Sequence, residues 1–327
     1  MADKPRLLLS SSPSIYSGMN VQRLMLYVII SLLPVSGYGI YLYGIPALTT
    51  ILVSVVSCVG FEVLFRKLIK APQNYKDLSA VVTGILLALI LPPSTPWWMT
   101  VLGALASIVF AKEFFGGLGY NPFNPALIGR AVLLMSFPAA ITTWHKPFQA
   151  LVDATTTATP LNILKLGGSL SDVAQSLGVT TPTDVYTTLF WGTRAGCIGE
   201  SSIPLILLGA LFLLITGTIG IATPLSMIAT TVIFSFLLGM DPLFQVLSGG
   251  VVFGAVFMAT DYVSTPLTPK GKVLFGIGAG IITLLIRRFG GFPEGVTYGI
   301  LIMNACTPYL NNLVTKKYGY ISGRSEK

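Results

Sequence analysis

The amino-acid sequence predicts an all-α polytopic membrane protein of about ten transmembrane helices, in two inverted five-helix repeats with short and broken members. Three observations predict it. The first is composition: of 327 residues, 53% are hydrophobic and only 10% are charged, where a soluble domain carries roughly a quarter. The shortfall runs along the whole chain and mean hydropathy is +0.78, so most of the chain should lie in lipid or against other apolar helices. The second is a series of apolar runs on either side of one polar stretch. The third is a pair of turn signals that recur: Pro93-Ser94-Thr95-Pro96 is echoed by Val263-Ser264-Thr265-Pro266, and Gly116-Gly117 by Gly290-Gly291.

In chain order, the first half offers apolar runs at roughly 24–43, 46–65, 78–91, 97–113 and 125–138. The second half offers 203–219, 222–239, 246–260, 273–287 and 296–314. Several are shorter than the roughly 20 residues a helix needs to cross a bilayer. Between the sets lies a stretch at about 140–200 rich in Thr, Gly and Asp, the only sizeable extramembrane segment expected. The chain therefore divides into a first repeat over 1–139, an outer segment over 140–202, a second repeat over 203–315 and a cytoplasmic tail over 316–327. The Ser-Thr-Pro signals are offset by 170 residues and the Gly-Gly signals by 174, a slip that the loop at Pro269-Lys270-Gly271-Lys272 absorbs. An odd number of spans per half inserts the second half upside down. Inverted halves with Gly/Pro-broken helices in matching places point to a site where the halves meet. The plainer reading is that Ser-Thr-Pro and Gly-Gly are common in membrane loops.

The net charge of +8 comes from 20 Lys and Arg against 12 Asp and Glu. The basic residues sit at loop ends and termini, as membrane topology requires, and no basic helix interleaved with aromatics suggests nucleic acid. With alternating spans, Lys4, Arg6, Arg23, Arg66, Lys67, Lys70, Lys76, Lys112, Lys270, Lys272, Lys316, Lys317, Arg324 and Lys327 share one face. That face should be cytoplasmic, with both termini on it, and the 140–200 segment then lies outside. Arg287 and Arg288 fall on the outer face and require a contact of their own, such as one with the outer segment. The polar first 20 or so residues lack ordered signal-peptide regions, so insertion is expected to begin with the first transmembrane helix. Cys58, Cys197 and Cys306 form no CxxC pair, and His145 reads as a loop residue beside Lys146. Neither a disulfide framework nor a metal site is expected.

No P-loop, HExxH or nucleophile elbow occurs. Three segments could carry chemistry. In Val152-Asp153-Ala154-Thr155-Thr156-Thr157-Ala158-Thr159-Pro160-Leu161, Thr159 and Pro160 suit the Ncap and N1 positions of a helix. The segment reads either as a plain Thr-rich cap or as a seat for a phosphate at a helix start. In Asn121-Pro122-Phe123-Asn124-Pro125, two Asn-Pro steps break the chain at membrane depth, where a break lines a cavity or is buried in protein. The Asn amides offer donor and acceptor edges to a planar heteroaromatic ligand. Arg130 follows inside an apolar run, either as a functional intramembrane charge or as a snorkelling side chain. In Cys197-Ile198-Gly199-Glu200-Ser201-Ser202-Ile203-Pro204, Ser and an early Pro signal a helix start, and Glu200 reads first as charge matching in its first turn. Asp261 beside Tyr262 could guide a cation or simply end a helix.

At these motifs the sequence resembles the family of the D subunits of the Rnf electron-transport complex and, more distantly, the B subunits of the Na⁺-translocating NADH:quinone reductase. The resemblance runs nearly the whole chain. It includes Ser11-Ser12-Pro13-Ser14-Ile15, Val82-Thr83-Gly84, Leu91-Pro92-Pro93, Gly116-Gly117-Leu118-Gly119 and Asn121 to Leu127 with Gly129-Arg130-Ala131. It continues through Gly199-Glu200, Met258-Ala259-Thr260-Asp261-Tyr262, Phe289-Gly290-Gly291 and Pro293-Glu294-Gly295. In that family the stretch like Asp153 to Thr159 is a flavinylation motif, Asp-x-x-[Ser/Thr]-x-Ala-Thr, and Asp153, Thr156, Ala158 and Thr159 match it. The resemblance implies FMN joined through its phosphate to Thr159, with Asp153, Thr156, Ala158 and Pro160 around it and Glu200 and Ser201 on the flavin pocket. The family often has Ser-Gly where this chain has Thr156-Thr157, which keeps the acceptor but removes a flexible Gly. The segment holding Asn121 and Asn124, with Arg130, resembles the place where the quinone-reductase relative holds a second, non-covalent flavin, which implies riboflavin or no second flavin here.

The implied partners are the lipid bilayer and the other subunits of the Rnf complex. Those are the A and E membrane subunits, the flavinylated G subunit, and the B and C subunits, which carry iron–sulfur clusters and flavin. The implied activity is that of a subunit of an ion-translocating ferredoxin:NAD oxidoreductase in the bacterial inner membrane. It would pass electrons through covalent FMN and couple them to Na⁺ or H⁺ movement. The competing class is a transporter- or channel-like membrane subunit without a redox cofactor, since inverted halves and broken helices suit a transporter equally. The Asp153 to Thr159 motif separates the two, because a plain transporter has no use for it.

Overall fold

The computed structural model describes residues 20–72, 77–148, 156–179, 181–292 and 294–314. Helix α1 (Val21–Tyr43) starts at Asn20, whose side chain accepts from the Arg23 amide. It meets α2 (Ile45–Leu68) at Gly44, whose φ of 66° suits a residue without Cβ. Pro46 pre-sets the first turn of α2. The buried face of α2 is Thr50, Ser54, Cys58, Glu62 and Arg66, one residue every four. Its outward face carries Leu52, Val56 and Leu64. In water this helix would be inside out. In a bilayer, lipid solvates the apolar face, while small and polar residues let helices approach and bond one another.

Helix α3 (Ser79–Leu89) shows that logic at its tightest. Nearly every residue in it is buried, and at 11 residues it is far short of the roughly 20 needed to span. It is a core element clasped by α1, α2 and α5. Gly84 permits the closest approach: a Cβ there would stand 2.7 Å from Val55 Cα, and Ser54 Oγ donates to Gly84 O at 2.7 Å. Helix α4 (Trp97–Leu105) continues as a π turn, Ala106–Phe110, and a 3₁₀ turn, Glu113–Phe115. Helices α5 (Pro125–Ser136) and α6 (Pro138–Ile141) follow.

The described part of the 140–202 segment folds on a small core of its own. Strands β1 (Trp144–His145) and β2 (Thr156–Thr157) pair antiparallel, Trp144 opposite Thr157. Helices α7 (Pro160–Lys165), α8 (Leu170–Leu177) and α9 (Pro182–Trp191) start at Thr159, Ser169 and Thr181, each hydroxyl accepting a first-turn amide. They gather Leu161, Val173, Val185 and Leu189 around Phe244 of α12. The expectation of an all-α chain is corrected only by this two-residue ladder.

The second half comprises α10 (Ile203–Ile215), α11 (Ala222–Leu237), α12 (Pro242–Leu247), α13 (Val251–Phe253) running into a π turn at Gly254–Met258, α14 (Pro269–Phe289) and α15 (Val296–Val314). Helix α11 again buries an every-fourth-residue stripe, Thr223, Met227, Thr231 and Ser235. The run expected at 246–260 is not one helix. It starts earlier, at Pro242, and breaks at Ser248-Gly249-Gly250 because both glycines hold positive φ, 63° and 66°, which an α-helix cannot accommodate. Helices α2 and α11 occupy like places, α2 packing on α3 and α4, and α11 on α13 and α14. Helix α4 packs on α5 as α14 packs on α15, and α1 lies on α3 as α10 lies on α13. The halves meet along α1–α10 and α5–α15.

The chain is a mostly helical, polytopic membrane protein. Among the described residues, four helices are long and apolar enough to cross a bilayer: Val21–Tyr43, Ile45–Leu68, Trp97–Phe115 and Pro269–Phe289. Four more apolar helices are shorter. Arg287 finds its contact at the break between α12 and α13. Its guanidinium donates to Gln245 O at 2.7 Å, Gln245 Oε1 at 2.8 Å and Ser248 O at 3.0 Å. It thus satisfies carbonyls that the end of α12 leaves free. Arg288 lines a neighbouring cleft with Leu161 and Lys165 of α7.

Candidate functional site

Two regions of the structure hold the residues singled out by the sequence. The first lies around the start of α7. Thr159, at the start of α7, is buried, and its Oγ1 accepts from the Asn162 amide at 3.2 Å. It borders a cavity of about 270 Å³ lined by Pro160, Arg194, Glu200, Gly249 and Glu294. A second cavity of about 580 Å³ adjoins it, sharing Pro160, Arg194 and Ala195 and adding Lys146, Phe148 and Ala158. Because α7 has only six residues, it aligns few peptide dipoles, so the helix start supplies less positive potential than the sequence suggests. The ladder fixes the approach to Thr159, since Thr156 pairs with His145. Asp153 lies outside the described residues.

The floor of this site is a 3₁₀ turn, Ile198–Glu200, stitched to the end of α3. The Ile198 amide donates to Leu91 O at 3.2 Å and Cys197 Sγ to Ile90 O at 3.1 Å. Ser201 Oγ donates to Ile198 O at 2.6 Å, so its hydroxyl closes the turn. Glu200 reaches the break before α13: a Cβ on Gly250 would stand 2.5 Å from Glu200 Oε1. Burial raises the Glu200 carboxyl, and the like charge of Glu294 raises it further. Burial also pushes the Cys197 thiol well up. Ligand atoms of Cys197, Glu200 and Glu294 lie within 4.8 Å of one another, yet the carboxylate of Glu294 is taken by Arg130.

Arg130 does not snorkel. It is buried in α5 and bonds Glu294, which immediately precedes α15, so one ion pair ties the two halves. Sequence reasoning missed Arg194 and the role of Glu294. The signal for the latter was present: Pro293-Glu294-Gly295 follows Gly290-Gly291 as the Asn121 segment follows Gly116-Gly117. Arg194 sits in a Thr-Arg-Ala-Gly loop with no periodicity to mark it.

The second region is a separate cavity between the halves, at the Asn121 and Asn124 segment. Asn121, Asn124, Lys112, Thr260, Asp261 and Tyr262 line it together with apolar side chains of α1 and α3. The two amides are not equivalent. Asn124 caps α5, its Oδ1 accepting from the Ala126 and Leu127 amides, while its Nδ2 donates to Met258 O at 3.3 Å in the opposite half. Asn121 Nδ2 donates to Phe123 O at 3.0 Å within its own turn. Asp261 accepts from Ser264 Oγ at 2.7 Å. Asn124→Ala should lower the thermal unfolding midpoint of the purified protein by the equivalent of about 1 kcal/mol for the cap alone. Asn124→Ser, which keeps a cap acceptor, should recover part of it. Equal midpoints for the two variants would remove the cap from the account.

Comparison with known proteins adds to this geometry. The NQR2, RnfD, RnfE family model matches residues 8–319. The chain belongs to that family. Among curated members of the NQR2, RnfD, RnfE family it is 42% identical over 321 residues to the D subunit of the Na⁺-translocating ferredoxin:NAD⁺ oxidoreductase complex of Acetobacterium woodii, covering 98% of each chain. It is 43% identical over 310 residues to the D subunit of the proton-translocating ferredoxin:NAD⁺ oxidoreductase complex of Clostridium ljungdahlii, covering 93% of each. It is 36% identical over 326 residues to the D subunit of the ion-translocating oxidoreductase complex of Stutzerimonas stutzeri, covering 90% of each.

Proposed function

We propose that this chain is the membrane flavoprotein subunit of an ion-translocating ferredoxin:NAD oxidoreductase complex, with FMN esterified to Thr159. The observation that carries the reading is the place of the Thr159 hydroxyl. It lies at the edge of a cavity walled by Arg194, Glu200 and Glu294, beside a larger cavity open to Ala158 and Lys146. Attachment would form a bond from Thr159 Oγ1 to the FMN phosphorus of FAD. It would break the pyrophosphate link, release AMP and lose the hydroxyl proton, under a flavin transferase. The residues fit such a group. Arg194 on the wall of the Thr159 cavity and Lys146 on the adjoining one supply the cations that a phosphate group requires.

Bound FMN would supply one- and two-electron transfer. The protein holds Thr159 still through the cap to Asn162. It binds the floor of the site to the end of α3 through Ile198 and Cys197. It ties α5 to the α15 entrance through Arg130 and Glu294. The other subunits of the complex are its partners. Similarity is nearly equal to a sodium-translocating and a proton-translocating relative, so overall identity does not select the ion. The inverted-repeat reading draws support from the like packing of α2–α3–α4–α5 and α11–α13–α14–α15. In this reading the Thr159 site faces outward and both termini lie in the cytoplasm. In this reading the cavity at Asn121 and Asn124, lined mainly by apolar side chains with a few polar groups, is the place for a non-covalent riboflavin.

The test is the intact mass of the purified protein after co-expression with a flavin transferase, beside Thr159→Ala. A mass increase of FMN minus water, lost in the variant, is expected. An unmodified mass, with the transferase active on a control substrate, would refute the flavin assignment and favour a transporter-like or scaffold role.

A further inference from the structure

Arg194 is buried, with 5% of its surface exposed, between the two cavities at Thr159. A buried guanidinium is normally matched by a carboxylate, because an unpaired charge is costly out of water. Here, among the described residues, no carboxylate oxygen lies within 4.0 Å of it. The hydrogen bond it makes, from Nη2 to Glu200 O, is long at 3.5 Å. Desolvation pulls its proton affinity down from the ordinary arginine value. The position itself is firmly built: Tyr43 of α1 donates to the Arg194 carbonyl at 2.9 Å. Arg194 and Thr159 thus line one cavity, and the arginine makes no ion pair within 4.0 Å among the described residues.

The charge balance around the cavity points the same way. Glu200 and Glu294 are its carboxylates. Arg194 is on its wall, Arg130 holds Glu294, and Arg287 reaches the Ser248 and Gly249 carbonyls of the same wall. Three arginines thus face two carboxylates, and Lys146 adds a further cation at the adjoining cavity. Among the described residues, and with both carboxylates counted as ionised, the side chains on and behind this cavity carry one positive charge more than negative. A phosphodiester carries one negative charge.

We propose that Arg194 is the phosphate clamp of the Thr159 site, a positioning residue whose guanidinium fork holds the phosphodiester oxygens of the esterified flavin. The proposal rests on the reading of Thr159 as the flavin acceptor. It assigns the anion-holding role to Arg194 in place of the six-residue helix α7. A planar fork binds two phosphate oxygens at once, which an ammonium does not. Charge and fork therefore separate experimentally.

The experiment compares wild type, Arg194→Gln and Arg194→Lys in the full chain, co-expressed with the other subunits and a limiting flavin transferase. The modified fraction is read by intact mass, and the flavin midpoint potential by spectroscopic redox titration. Arg194→Gln is expected to lower the modified fraction about tenfold, the loss of one charge-assisted interaction. It should also shift the flavin that is attached to a lower potential, since a nearby positive charge favours the reduced, more negative form. Arg194→Lys should restore the potential but only part of the modification. A purely structural role would lower the amount of folded protein without moving the potential. Wild-type modification and potential in Arg194→Gln overturn the clamp while leaving Thr159 as acceptor. An unmodified wild type overturns both. Where Arg194→Gln does not fold, Arg194→Lys decides, and modification at the wild-type level in that variant overturns the clamp.

Discussion

Lys112→Met is expected to destabilise the membrane domain by about 3–5 kcal/mol, the usual cost of breaking a buried ion pair from one side. Lys112 is 1% exposed, and its Nζ donates to Glu62 Oε1 at 3.1 Å and Ser79 Oγ at 2.6 Å. Arg66 forms the other arm, with Nε 3.1 Å from Glu113 Oε2 and 3.7 Å from Glu62 Oε1. Two cations and two carboxylates thus meet where α2, the start of α3 and the turns after α4 join, and Asp77 is linked to them through Ser79, whose hydroxyl donates to Asp77 Oδ1 at 2.7 Å. Methionine matches the lysine stem in shape but leaves Glu62 with only its longer, 3.7 Å pairing to Arg66, whose guanidinium is also committed to Glu113 and to Pro72 O. Removing both charges avoids that. The double variant Glu62→Gln, Lys112→Met should unfold at a higher temperature than Lys112→Met alone. The measurement is the thermal midpoint in detergent for both single variants and the double. A double variant less stable than Lys112→Met would show that the pair contributes through packing and not through charge balance.

The same cluster shows what the sequence can and cannot say. The basic residues at the ends of α2 and α4 were legible as topology signals, because positive charge gathers on one face. That Lys112 and Arg66 are buried, and that Glu62 and Glu113 meet them, is a matter of which helix faces touch. In α2 the apolar side is outward, so the usual inference from an apolar stripe to a core fails. The stripe that marks the core is instead Thr50, Ser54, Cys58, Glu62, Arg66. Existence and order of the apolar helices were readable from run length. The break at Gly249-Gly250 was not, because the residues on either side, Val246-Leu247 and Val251-Val252, continue the apolar run. At the outer site, Thr159 and Glu200 were readable as helix-start residues and converge on one cavity. Ser201 was readable too, yet its hydroxyl is spent within its own turn. Arg194 was hidden, since its loop is held by a contact 151 residues away in sequence, with Tyr43, and Glu294, though marked by its place after Gly290-Gly291, gave no sign of its partner Arg130, 164 residues away.

Gly192→Ala should be among the most damaging single changes in the outer segment, and should carry into the Thr159 site. Gly192 ends α9, its amide donating to Thr188 O at 2.8 Å, with φ at 84°. An alanine in that left-handed conformation costs on the order of 1 kcal/mol by itself. Space adds far more. A Cβ on Gly192 would fall 0.7 Å from Ser201 O, so backbone must move, and no rotamer can relieve it. Ser201 follows Glu200 directly, so the displacement reaches the floor of the Thr159 cavity. Gly178 is the control: it ends α8 with φ at 74° and has nothing within 4 Å of its Cβ position. Gly178→Ala should therefore show the conformational cost alone. Thermal midpoints and the flavin-modified fraction of both variants separate the two effects. Gly192→Ala is expected to lose both stability and modification, Gly178→Ala only about 1 kcal/mol of stability. Equal behaviour of the two would mean that the α9 end and the Ser201 turn move apart without consequence, and that the Thr159 site does not depend on the close contact between them.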